Sequence, residues 1–137
     1  MLTHPNTNRP YNPTLDYFLG GIEIYDQEET LGEKLWRLNS NSEQRNTIIM
    51  EYIIPYLQNL SYRHKFILAE KLEKSLKDVN HDFKTYFEND PDEYCQIAWE
   101  AREINTPRSF FEDIFHIIQD RWEYELCKAS EEDQSTW

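Results

Sequence analysis

An imidazole surrounded by carboxylates is the pattern in this chain that most resembles a reactive site. Carboxylates stand four residues before His116, three residues before it and four residues after it, on one helical face: Glu112, Asp113 and Asp120. Helical bundles bind metals with such spacings when each of two helices supplies a Glu-x-x-His pair. No other long predicted helix carries an acid-x-x-His pair, so we expect a solvated acidic face with no metal and no cofactor.

Nucleophilic catalysis finds little support in the sequence. A thiol nucleophile needs a base within hydrogen-bond reach, and Cys127 stands eleven residues after His116, about 16 Å along a helix. The two cysteines, Cys95 and Cys127, form no CxxC pair, and the three glycines form no phosphate-binding loop. We therefore predict that the chain is not an enzyme, and keep a metal-dependent enzyme built on His116 as an alternative.

The composition is that of an acidic, soluble domain. In 137 residues, 26 acidic and 14 basic side chains give a formal net charge of −12. Such a charge repels phosphates and anionic membranes, so we expect a basic protein partner, no direct contact with nucleic acid and no membrane association. The sequence shows no signal peptide and no apolar run near the roughly 18–20 residues of a membrane span, which predicts a cytoplasmic location.

The charge is distributed unevenly along the chain. Residues 62–84 contain six basic and four acidic side chains, whereas residues 85–137 contain four basic and fourteen acidic ones. Nearly all of the net charge therefore belongs to the last 53 residues. Two interpretations stay open: a solvated face that keeps the protein soluble, or a negative surface shaped for a basic partner.

The elements that must position these acids are helices. Apolar residues recur at three- and four-residue steps in several segments: 27–38, 43–60, 62–79, 91–104 and 106–128, with one more turn at 83–87. This periodicity predicts an all-α fold, an irregular bundle of four to six helices with an extended N-terminal arm. We divide the chain into the arm (1–20), one helical domain (21–129) and an acidic frayed tail (130–137).

Local signals refine these segments. Ser61 is expected to cap the helix that follows it, and Thr106 and Pro107 are expected to open the last one. Pro55 lies inside the second helix and predicts a kink, because it lacks the N–H that would bond to the carbonyl of Glu51. The pair Gly20-Gly21 predicts a break before a short extended strap.

Trp99 marks the predicted binding surface. On the helix 91–104 the apolar arc holds Tyr94, Ile97, Ala98, Ala101 and Ile104, so Trp99 projects on the opposite side, among acids. Exposed tryptophan is frequent at binding hot spots, although a second layer of the same protein could cover this one. The predicted partner-binding residues are Asp92, Trp99, Glu100, Glu103, Glu112, Asp113, Asp120 and Glu123.

These observations favour an acidic protein-binding module. Its concrete form is an inhibitor or immunity-type protein that masks a basic site on a nuclease or another nucleic-acid-handling protein. The first alternative is an adaptor or assembly factor that binds a partner helix through apolar contacts. Salt-sensitive binding favours the inhibitor, and salt-insensitive binding favours the adaptor.

Overall fold

The computed structural model describes residues 1–88 and 96–137, and the chain is mostly helical. The six α-helices of these residues are α1 (Glu33–Trp36), α2 (Gln44–Ile48), α3 (Ile54–Leu57), α4 (Tyr62–Lys77), α5 (Pro107–Arg121) and α6 (Glu123–Ser130). Short 3-10 helices cover Leu15–Ile22, Lys84–Phe87, Ala101–Glu103 and Gln134–Thr136, and π-helical turns cover Glu28–Gly32 and Ile49–Ile53. Within the described residues, β structure is limited to two isolated bridges. The all-α prediction is confirmed.

One hydrophobic core connects the whole chain. It begins at Leu15, takes in four fully buried phenylalanines (Phe18, Phe87, Phe110 and Phe111), and extends to Trp122. Helix α4 packs against both α5 and α6, while the 3-10 helix Leu15–Ile22 packs on the π-helical turn Ile49–Ile53. The N-terminal and C-terminal halves therefore bury each other's apolar faces.

The glycine pair lies inside a buried helix instead of breaking the chain. Leu15–Ile22 is helical, and the segment before it, residues 1–14, folds back on itself through an antiparallel bridge between Thr3 and Pro10. A Cβ atom at Gly20 would collide with the ring of Tyr56, and one at Gly21 would collide with the carbonyl oxygen of Tyr52. The two glycines are needed for close helix packing, which local sequence signals cannot distinguish from a turn.

The helix type changes just before Pro55, where the sequence predicts a kink. The turn before it is π-helical (Ile49–Ile53), and the N–H of Ile54 bonds to the carbonyl of Ile49. The wider turn accommodates a residue that can neither donate a hydrogen bond nor tolerate the carbonyl four residues earlier.

Helix α4 matches its predicted bounds, and Ser61 caps it by accepting a hydrogen bond from the N–H of His64. Its apolar spacing predicts a buried face of Tyr62, Phe66, Ala69, Leu72, Leu76 and Val79. The observed face is rotated from it: Lys65, Leu68, Ala69, Leu72 and Ser75 point inward, and Val79 is 84 % exposed. Lys65 can be buried because its ammonium group contacts Glu125 at 2.7 Å and lies over the ring of Trp122. Glu125 lies on α6 and Trp122 lies just before it, so the sequence of α4 alone cannot reveal this face.

The last predicted helix is divided in two. Pro107 opens α5 as predicted, but Thr106 adopts a left-handed conformation (φ 52°) and its side chain caps nothing. At Trp122 the backbone leaves helical geometry, and α6 begins at the next residue. The ring of Trp122 is 3 % exposed, so burying it in the core sets the angle between the two helices.

The predicted helix 91–104 is wrong where the structure describes it. Ile97 forms an antiparallel bridge with Glu23, and the N–H of Ala98 donates to the carbonyl of Ile22. These long-range bonds occupy backbone groups that a helix would need, so only the single turn Ala101–Glu103 remains. Residues 89–95 lie outside the described part of the chain.

The acidic C-terminal segment is packed onto the body. Trp137 is 7 % exposed, its ring lies 5.9 Å from that of Phe66, and its indole N–H donates to Glu132. Glu132 also accepts hydrogen bonds from Tyr62 and Arg63 at the start of α4. The aromatic anchor explains why this acidic segment does not fray.

Candidate functional site

The acids of α5 and α6 separate into two rows. Glu112 and Glu123, with His116 between them, line a groove that runs beside α4. Asp113 belongs to the neighbouring row and lies 3.4 Å from the guanidinium of Arg45. Asp120 is exposed on the same side as Asp113 by helical spacing. The single acidic face predicted for this segment is therefore divided between the groove beside α4 and the side that faces Arg45.

Asp113 is part of a buried structural network centred on Arg45. The guanidinium donates to the carbonyl oxygen of Ser40 at 2.6 Å and to the hydroxyl of Ser109 at 2.8 Å. It also donates to the carbonyl oxygen of Asn105 at 3.2 Å. Arg45 is 8 % exposed, so these bonds join the loop before α2 to the start of α5. Asp113, a predicted binding residue, contacts this network from its exposed edge, and its side chain is 41 % exposed.

Trp99 and the acids predicted to surround it do not form an exposed binding surface. Trp99 is 6 % exposed, so the same protein covers it. Glu100 pairs with Arg102 at 2.8 Å, and Glu103 accepts a hydrogen bond from the N–H of Glu100. These two acids stabilise a loop, and Asp92 lies outside the described residues.

Two adjoining cavities form the groove between α4 and the pair α5–α6. The first, of about 380 Å³, is lined at its base by Phe66, Ala69 and Leu126. The second, of about 460 Å³, is lined at its base by Leu76 and Phe115. Glu73 lines both cavities, so they lie next to each other along α4.

The floor of the groove consists of side chains that the helical pattern assigns to the core. Leu76, Phe115 and Leu126 pack against the core but stay partly exposed. Phe66 is also half-buried. The helices meet along a neighbouring row of residues, which leaves these four apolar side chains uncovered at the bottom of a cleft.

The rims carry the charge, and the two cavities differ. Among the described lining residues, the first cavity has three carboxylates and no basic side chain: Glu70, Glu73 and Glu123. The second has Glu73 and Glu112 beside Lys77 and Arg108, which balances its charge.

The carboxylates of the rims differ in how they are paired. Glu70 and Glu73 form ion pairs with Lys74 and Lys77 on the surface of α4. Both lysines are 74 % exposed, and such pairs contribute little stability, so a partner can displace them at low cost. Within the described residues, no hydrogen bond or ion pair engages the carboxylates of Glu112 and Glu123.

In residues 1–88 and 96–137, no three His, Cys, Asp or Glu side chains gather in a group that could hold a metal ion. Cys127 is exposed beside the first cavity, and its thiol lies 3.8 Å from the carboxylate of Glu131. The thiol therefore has a carboxylate and no imidazole base beside it.

A second polar cluster fastens the N-terminal segment to α4. His64 donates to the carbonyl oxygen of Thr3 at 2.7 Å and contacts the hydroxyl of Ser61 at 2.5 Å. The ring of Tyr11 meets the His64 ring edge-on, and burial together with Tyr17 raises the pKa of Tyr11 to about 12. The contacts of His64 with Thr3 and Tyr11 join residues more than fifty positions apart in the sequence, so no local signal predicts them.

Fold and groove together define a class: a small, acidic, all-α protein with an open apolar groove between helices and carboxylates on its rims. No protein-family model, curated protein or solved structure matches this chain. Over the described ranges, the helices are too short or too polar for any of them to cross a bilayer.

Proposed function

We propose that this protein is an acidic protein-binding module that masks a basic site on its partner, as inhibitors and immunity-type proteins do. One observation carries the proposal: four half-buried apolar side chains form the floor of a groove whose rims hold free carboxylates. Small monomeric proteins seldom leave contiguous apolar surface open, and a polar rim around an apolar centre is the anatomy of a protein interface.

The two features have separate roles in binding. A net charge of −12 attracts a basic partner over long range and raises the association rate. The apolar floor, shielded from water after docking, slows dissociation. Since the screening length at physiological salt is about 8 Å, the rim carboxylates act on an approaching cation as a group.

A second candidate is an adaptor that binds its partner through apolar contacts. The second cavity favours it, because Leu76 and Phe115 form the floor there while two acids and two basic residues balance the charge. An adaptor of this kind would bind with little dependence on salt, whereas masking of a basic site would weaken steeply as salt is raised.

The test begins with affinity capture of the partner from the native host, followed by binding kinetics between about 50 and 500 mM salt, a range over which the screening length falls several-fold. The double variant Glu112→Lys/Glu123→Lys should slow association at least about tenfold, because it reverses the two free carboxylates of the groove. The matched control Glu29→Lys/Glu33→Lys changes the net charge equally at exposed positions outside the groove. If the two double variants slow association equally, the acidic half is only a solvated face. If binding does not depend on salt, the protein is the adaptor.

A further inference from the structure

We infer that the groove between α4 and α5–α6 receives an amphipathic α-helix of a basic partner, with its cationic end over the first cavity and an apolar anchor in the second. The inference rests on the proposed function, and adds the conformation and orientation of the segment that is bound.

The dimensions of the groove suit a short helix. Its floor extends along α4 from Phe66 to Leu76, ten residues or about 15 Å. This length corresponds to about three turns of a partner helix, whose apolar side chains recur every three or four residues. Two apolar hollows joined at Glu73 can therefore receive two anchors from one face of the same helix.

The walls of the groove favour a helix over an extended strand. They are helices, whose backbone N–H and C=O groups already bond within each helix. An extended peptide would bury its own backbone polar groups against an apolar floor without partners there, and each unsatisfied group costs free energy. A helix satisfies its backbone internally and presents side chains alone.

The charge asymmetry sets the direction. Glu70, Glu73 and Glu123 surround the first cavity, so Lys or Arg side chains of the partner fit there. Lys77 and Arg108 at the second cavity disfavour cations, whereas Leu76 and Phe115 favour an apolar anchor. A second copy of this chain is a poor occupant, because two bodies of charge −12 repel each other.

The probe for this inference is a synthetic amphipathic peptide of about 15 residues, near the length at which isolated helices become stable in water. It carries Leu and Phe on one face and a Lys/Arg cluster at one end. One control peptide has the same composition with a central Pro, which breaks the helix. A second control spreads the same Lys and Arg residues along the polar face of the helix, so that neither end is cationic.

Binding is measured by fluorescence anisotropy of the labelled peptide. We expect both control peptides to bind the parent protein at least about tenfold more weakly than the parent peptide does, a difference of about 1.4 kcal/mol. The parent peptide should lose about the same affinity for the Glu123→Lys protein. Phe115→Ser should weaken the parent peptide as well, since it removes an apolar anchor site. Equal affinity of the Pro-containing peptide would overturn the helical conformation, and equal affinity of the second control would overturn the orientation.

A thiol footprint locates the bound peptide. In a Cys95→Ser variant, Cys127 is the one remaining thiol and borders the first cavity. Saturating peptide should slow alkylation of Cys127 several-fold, and unchanged reactivity would show that the peptide binds elsewhere. If the probe fails while the captured partner still depends on Glu112 and Glu123, the helix inference falls and the proposed function stands. If binding of the captured partner is unaffected by changes at Glu112 and Glu123, both the helix inference and the proposed function fail.

Discussion

Arg45→Met should destabilise the fold by about 3 kcal/mol, because it removes the donor group that joins two loops. Ser40, whose carbonyl oxygen accepts at 2.6 Å, is a buried residue, and leaving this acceptor unpaired costs about 1–3 kcal/mol. The half-buried Ser109 hydroxyl keeps its bond to the carbonyl of Thr106, so its loss is about 1 kcal/mol or less.

Two further terms enter the magnitude. The guanidinium lies 5.3 Å from the ring centre of Phe110, a contact of about 0.5–1 kcal/mol. The Asp113 side chain is 41 % exposed, so water can replace its ion pair and we assign it little weight. Met retains part of the apolar packing of the arginine stem, which offsets some of the loss.

The assay is urea unfolding followed by helical circular dichroism, with the free energy of unfolding extrapolated to water. A loss of about 3 kcal/mol in a domain of this size lowers the melting temperature by roughly 10 °C. The control is Arg37→Met, an exposed arginine on the same segment of chain, which should change stability by less than about 0.5 kcal/mol. A loss below about 1 kcal/mol for Arg45→Met would refute the reasoning, since the network would then be largely solvated.

Two other variants test the corrected roles of aromatic and acidic residues. Trp99→Ala should destabilise the protein by about 3–5 kcal/mol in the same urea assay, because Trp99 is 6 % exposed. An unchanged unfolding curve would show that the Trp99 side chain is exposed to solvent. Hydrogen bonds from Tyr62 and Arg63 hold the pKa of Glu132 below its usual value of 4.5, so its stabilising effect is present above that value and lost as pH falls through the lowered pKa. The stability difference between the parent and Glu132→Gln should accordingly be largest near neutral pH and shrink in acid, and a constant difference across pH would contradict the assignment.

Much of the architecture follows from local patterns. The cap at Ser61 and the first-turn proline of α5 depend on residues within one or two turns, so reading along the chain predicts them. Pro55 likewise predicts a local irregularity, although the π-helical form of the turn before it is seen only in the structure. The acidic balance of the second half is likewise additive, because charge is counted without knowing any contact.

The candidate site could be predicted only in part. Glu112 and Glu123 were among the expected binding residues and do line the groove, whereas Glu100 and Glu103 stabilise a loop in place of the expected helix. The groove floor had no sequence signal of its own, since Phe115 carries the same helical periodicity as the buried core.

The sequence by itself determined that the chain is helical, acidic and rich in apolar stripes. Tertiary structure decided which row of each stripe is covered: Lys65 is buried because Glu125 and Trp122 receive it, and Trp99 is buried because the chain folds back at Ile97. A helical stripe is wider than the contact that one neighbouring helix can make. Which part becomes core and which becomes groove therefore depends on where distant segments pack, and that information is absent from the spacing of residues along any single helix.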